Sequence, residues 1–144
     1  MADSALSKFV IHHCHPEEAA AVLALWQQAE ATASVTDTIE DLQHAITESS
    51  TVVLVAKAEN RIIGSVIGSF DGWRGNVYRL SVHPAYRLQG IARALVAEVE
   101  RHLIRQGAKR ITALVEKDHP WAMGFWRAIG YEVDSRMVRF VRDL

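Results

Sequence analysis

The chain has 144 residues, a net charge of −1, 49% hydrophobic and 23% charged residues, and one cysteine, Cys14. That length allows a full hydrophobic core, and the composition excludes both a strongly charged, apolar-poor chain and an internal disulfide framework. No apolar run approaches membrane-spanning length, and residues 1–10, MADSALSKFV, lack a basic stretch followed by an apolar one, so a single cytoplasmic domain over residues 1–144 is expected, with no membrane partner.

The charge is unevenly divided. Residues 1–60 hold 2 Lys/Arg against 9 Asp/Glu, whereas residues 61–144 hold 14 against 8. A basic half suits an anionic ligand. Nucleic acid is the competing explanation, but the basic residues are scattered and no nucleic-acid module signature occurs, so no nucleic-acid partner is expected.

Phe9, Val10 and Ile11 predict a first strand, ending in His12-His13-Cys14-His15-Pro16. Three histidines and a cysteine invite a metal reading. Neighbouring strand residues point to opposite faces, however, and no second ligand cluster stands nearby in sequence, so no metal is expected. Pro16 with Glu17 and Glu18 announces a helix whose apolar stripe is Ala19, Val22, Leu23, Trp26 and Ala29. Asp37 with Glu40 reads as an N-cap and its reciprocal partner, opening a short helix through Ile39, Leu42 and Ile46. Thr51 to Ala58 and Ile62 to Phe70 read as a hairpin, with Gly64 and Gly68 leaving room for close packing.

Residues 77 to 106 carry the strongest functional pattern. Val77, Tyr78, Leu80 and Val82 read as a strand that Pro84 stops. Ile91, Leu95, Val99 and Leu103 then fall at four-residue spacing on one helix face. The short loop between them feeds a helix start, whose first N–H groups lack carbonyl partners and carry the positive end of the dipole. Small Gly90 and Ala92 leave such a start open to an oxyanion, and Arg87 adds a fixed charge. Beyond it, Gly107 stops the helix and Ile111 to Glu116 reads as a strand. A helix capped near Asp118 or His119 runs to about Ile129. Tyr131 to Val133 and Met137 to Val141 read as closing strands.

The run Arg87-Leu88-Gln89-Gly90-Ile91-Ala92 resembles the Arg/Gln-x-x-Gly-x-Gly/Ala signature of the GNAT superfamily of N-acetyltransferases. Leu80 to Pro84 resembles that family's fourth strand, and Gly124 to Tyr131 its later aromatic-pair and Gly-aromatic segment. The resemblance covers roughly the second half of the chain. It implies an α/β (α+β) fold: a mixed, mostly antiparallel sheet of six to seven strands flanked by about four helices. It also implies acetyl-CoA as co-substrate, with Leu80, Ser81 and Val82 along the pantetheine arm. Arg87, Leu88, Gln89, Gly90, Ile91, Ala92 and Arg93 would meet the pyrophosphate.

The implied activity is transfer of an acetyl group to a primary amine of a small molecule or protein, by direct attack in a ternary complex. An alternative is an acyl-CoA-binding module with weak or no transfer, acting as a ligand-responsive or partner protein. The family's oxyanion donor is a backbone amide of the cofactor strand, matching Val82. Its usual acid is a Tyr where this chain has Trp126, and an indole N–H donates a hydrogen bond without serving as a proton source. Trp126 is assigned instead to packing against the pantetheine arm. One subgroup, the N-terminal-alanine acetyltransferases of ribosomal proteins, places a catalytic Glu at the position of Leu114. Glu116, two residues on and on the same strand face, is the first choice as base, and His83 the second. The acidic residues Glu30, Asp37, Glu40, Asp41 and Glu48 suit a cationic acceptor, and a solvated helix face explains them equally. Arg136, Arg139 and Arg142 suit an acidic one. Homodimers are common in the family.

Overall fold

The computed structural model describes residues 8–144; the first seven residues, part of the stretch read above for a targeting signal, lie outside them. The described chain divides into two compact units, residues up to 114 and residues 115–144.

The first unit is a five-stranded sheet in the order β1 (Val10–His13), β2 (Thr51–Ala58), β3 (Arg61–Phe70), β4 (Gly75–Val82), β5 (Ile111–Ala113). All neighbours are antiparallel except β4 and β5. Helices α1 (Ala19–Gln28) and α2 (Ile39–Thr47) precede β2, and α3 (Ile91–Gln106) makes the crossover from β4 to β5. The alternation along β2 and β3 assigns the two faces. Val53, Val55 and Ile67 pack with Val22, Leu25, Trp26 and Leu42 of α1 and α2. The opposite parity, Gly64 and Gly68, meets α3.

The predicted α3 stripe lies over glycines. A Cβ at Gly64 would stand 3.0 Å from both Ile91 and Leu95, one at Gly68 only 2.4 Å from Val99, and one at Gly75 3.1 Å from Leu103. Each side chain of the stripe is at most 2% exposed. Residues without side chains therefore bring the helix backbone close to the sheet, and the packing fixes where its N-terminus stands.

The start of α2 differs from expectation. Thr38 is its N-cap, accepting from the Asp41 N–H at 3.1 Å and donating to the Asp41 carboxylate at 2.9 Å. Asp37 turns elsewhere, because an arginine 42 residues away competes for it.

The second unit contains α4 (Ala122–Ala128) and an edge-to-face chain of rings, Trp121, Phe125, Trp126 and Tyr131. The expected six to seven strands are five among the described residues, because neither closing strand forms. Tyr131 instead ties back to the helix end, donating its N–H to the Trp126 carbonyl at 3.0 Å. Asp134 holds a turn by accepting the Arg136 N–H. Met137, Val138, Phe140 and Val141 are all exposed, so the segment has apolar residues at both parities and no single face to bury.

Gly68→Ala tests the close approach of α3. The added methyl meets the Val99 side chain, and the substitution is expected to cost roughly 1–3 kcal/mol by overpacking. In urea unfolding, Val99→Ala in the same chain should recover part of that loss.

Candidate active site

The middle of β4 carries a bulge. Ser65 pairs with Ser81 and Ile67 with Tyr78, so one β3 residue, Val66, stands opposite two, Arg79 and Leu80. Arg79 takes φ +56 there, a left-handed conformation that a non-glycine residue adopts only when held. The holding groups come from across the unit. Ser65 Oγ donates to the Arg79 carbonyl at 3.2 Å and accepts from Trp26 Nε1 at 2.9 Å. The Arg79 guanidinium lies 4.6 Å above the Trp26 ring and donates to Asp37 at 2.9 Å. This network was not legible in sequence beyond one signal, a serine inside the apolar run of β3.

Past the bulge, β4 loses its neighbour on one side. The parallel partner β5 pairs only with Gly75, Asn76 and Val77, and Leu114 N–H adds a bond to the Val77 carbonyl at 2.9 Å. Among the described residues no strand pairs with Tyr78 to Val82 on that edge. Successive N–H groups of a strand point to opposite sides. The His83 N–H goes to the Ile63 carbonyl of β3 at 2.8 Å, so the Val82 N–H faces the open edge.

The turn after β4 leads from that edge to α3. Pro84–Tyr86 forms a 3-10 turn anchored by buried Tyr86, with His83 Nδ1 accepting the Ala85 N–H at 3.1 Å. Leu88 (φ +65, fully exposed) and Gly90 (φ +81) then reverse the chain. Gly90 is the N-cap of α3 and offers no side chain; its carbonyl accepts the Ala94 N–H at 3.0 Å. The N–H groups of Ile91, Ala92 and Arg93 precede that first helical bond. A Cβ at Gly90 would meet no atom within 4 Å, so the space beside the helix start is open.

The structure therefore joins Leu80, Ser81 and Val82 to the Arg87–Arg93 turn in one strand–turn–helix. Glu116 and Trp126 belong to the second unit. β5 ends at Ala113, so strand parity no longer sets the direction of Glu116, which is exposed. Trp126 is 6% exposed, with its ring edge to face with Phe125 and Tyr131. His83 uses its Nδ1 lone pair on Ala85 and therefore carries its proton on Nε2 when neutral. Burial, then the charges of Arg61 and Arg87, hold its pKa below the ordinary value.

An open strand edge running into a glycine-led helix start presents main-chain N–H groups of the kind that suit an oxyanion. The sequence profile of the acetyltransferase (GNAT) family matches residues 17–131, and the chain belongs to that family. It is 35% identical over 112 residues to an acetyltransferase of Pectobacterium atrosepticum, covering 78% of this chain and 79% of that one. An acetyltransferase of Yersinia pestis is 32% identical over 117 residues, covering 81% and 83%. Among solved structures, the PaiA N-acetyltransferase of Thermoplasma acidophilum in complex with coenzyme A has a TM-score of 0.79 at 17% identity, covering 88% and 91%. The aminoglycoside N-acetyltransferase AAC(6')-Iy in complex with CoA has a TM-score of 0.78 at 17% identity, covering 96% and 97%. The chain is thus an N-acetyltransferase of the acetyl-CoA-dependent class.

The His83 cap gives a pH prediction. The unfolded chain takes up a proton near the ordinary imidazole value of 6.5, whereas folded His83 does so only at lower pH. The unfolded state then binds more protons, so stability is lost as pH falls from about 6.5 through the folded value. Burial shifts His102 the same way. Urea midpoints measured from pH 7.5 down to 5 should fall less steeply in His83→Asn, which keeps an acceptor for Ala85 but does not titrate.

Proposed function

We propose that this chain moves an acetyl group from acetyl-CoA to a primary amine, by direct attack of the amine while both substrates are bound. The observation that carries the proposal is the unpaired edge of β4 continuing into the open start of α3. Leu80, Ser81 and Val82 hold the pantetheine arm through their main chain. Arg87, Leu88, Gln89, Gly90, Ile91, Ala92 and Arg93 hold the pyrophosphate, chiefly through N–H groups at the helix start.

Acetyl-CoA supplies the activated thioester. The outward Val82 N–H donates to the acyl oxygen, where negative charge develops during attack. Holding amine and acyl donor together supplies much of the rate. With the Nδ1 lone pair of His83 committed to Ala85, Glu116 is our first choice of base or water-orienting group. Trp126 stays within its aromatic cluster, and solvent protonates the departing sulfur.

Of the two acceptor classes, we take a cationic amine as the first to test, with one revision to its acidic partners. Asp37 is already neutralised by Arg79, which leaves Glu30, Glu40, Asp41 and Glu48 as the acidic residues along this side. The fold neighbours that act on aminoglycosides make amino sugars the first class to screen, followed by polyamines and peptide amines.

Calorimetric titration of acetyl-CoA is the test, run on the wild type, Gly90→Glu and Ala92→Glu. Binding should weaken at least about tenfold in both variants, equivalent to 1.4 kcal/mol. Ala92→Glu carries the weight, because its helical backbone accepts a side chain that Gly90 at positive φ does not. No binding by the wild type, or equal binding by all three, would overturn the proposal. Binding without turnover on any amine would leave an acyl-CoA-binding module. For the base, Glu116→Gln should lower kcat by about 100-fold or more with KM for acetyl-CoA unchanged.

A further inference from the structure

The end of β1 gathers three groups that the linear pattern separates. Pro16–Glu18 folds as a 3-10 turn that returns Glu18 to the strand, where Glu18 Oε1 accepts the His15 N–H at 2.9 Å. One ligand atom each from His12, His15 and Glu18 then lies within 4.8 Å of the others. The two imidazoles stack with centroids 5.5 Å apart. Adjacent His12 and His13 do diverge, and His13 turns to His102 instead, at 4.9 Å between rings. The converging residues are spaced three apart across a turn, where strand parity does not apply.

Hydrogen bonding fixes which nitrogen of His12 faces inward. Its Nδ1 lies 2.9 Å from the His13 carbonyl, which only accepts, so Nδ1 carries the proton and Nε2 the lone pair. Such a bond on the far nitrogen is what orients metal-binding histidines. Nε2 faces Glu18 Oε2 at 3.9 Å.

We propose that His12 Nε2, a ring nitrogen of His15 and Glu18 Oε2 bind a zinc ion, with water completing the coordination. Two imidazoles and a carboxylate are a donor set zinc accepts, whereas calcium and magnesium prefer oxygen alone. Zinc bonds of 2.0–2.2 Å place tetrahedral ligands roughly 3.4 Å apart, so the cluster contracts by about 1 Å, which rotation of exposed His15 supplies. Cys14 takes no part. It is buried, and its Sγ faces the His15 carbonyl at 3.5 Å. Lys57 is the competitor: its ammonium lies 3.2 Å from Glu18 Oε2, on a side chain 34% exposed. The bound ion would fasten the end of β1 to the entry of α1.

Zinc chloride titrated calorimetrically into the tag-free full chain, with thermal unfolding in parallel, tests the site. One equivalent should bind and raise Tm. His15→Ala, an exposed substitution, and Glu18→Gln should each weaken binding at least tenfold, His13→Ala should leave it unchanged, and Lys57→Met should tighten it severalfold. The Lys57 variant guards against reading a misfolded mutant as lost ligation, since it gains affinity. No saturable one-equivalent binding, or binding indifferent to His15→Ala, would overturn the proposal.

Discussion

The close approach of α3 to the sheet is the constraint on which the rest of the first unit depends. Ile91, Leu95, Val99 and Leu103 reach the strands because Gly64, Gly68 and Gly75 present only backbone beneath them. Each buried aliphatic side chain contributes on the order of 1.5–3 kcal/mol relative to exposure. That stabilisation fixes the helix axis, and the axis fixes where the N–H groups of Ile91, Ala92 and Arg93 stand. The packing that holds the helix therefore also fixes the direction of those N–H groups.

A second constraint acts one strand away. The bulge at Arg79 and Leu80 re-aims β4 after its last bond to β5, and it is held from outside the strand by Trp26 of α1, Ser65 of β3 and Asp37 of the α1–α2 connection. A non-glycine residue at positive φ costs roughly 1–3 kcal/mol. The Asp37 ion pair, the indole face and the Ser65 bridge offset that cost together, with both charged side chains about four-fifths buried. Helix α1 and the α1–α2 connection are therefore coupled to the strand that presents the Val82 N–H.

Legibility in sequence followed the range of the interaction. The α3 stripe, its glycine counterparts, the stop at Gly107 and the open turn at Gly90 are local patterns, and each has its structural counterpart at the expected residues. The Arg79–Asp37 pair spans 42 residues and could not be read from spacing, so Asp37 looked like a helix cap until a distant arginine competed for it. The closing segments had strand-like composition, but composition supplies no partner, and Tyr131 is engaged by the end of α4. The approach of His12, His15 and Glu18 escapes the parity argument for a related reason. Parity governs a strand, and His15 and Glu18 lie where the strand has ended.

The site is built mostly from main-chain groups, and this explains how little of its chemistry the side chains reveal. The Val82 N–H, the strand edge and the helix-start N–H groups exist whatever residues carry them, provided that the bulge, the glycine-lined contact and the Gly90 turn persist. Such geometry is compatible with many side chains, and the fold is shared at 17% identity with two solved structures. Acceptor choice and proton transfer need side chains, and it is there that the resemblance gives least: Trp126 stands where it implies a Tyr, and Leu114 where one subgroup alone places a Glu. His83 illustrates the boundary: it directly follows β4, yet its Nδ1 lone pair is spent holding the turn that aims the backbone.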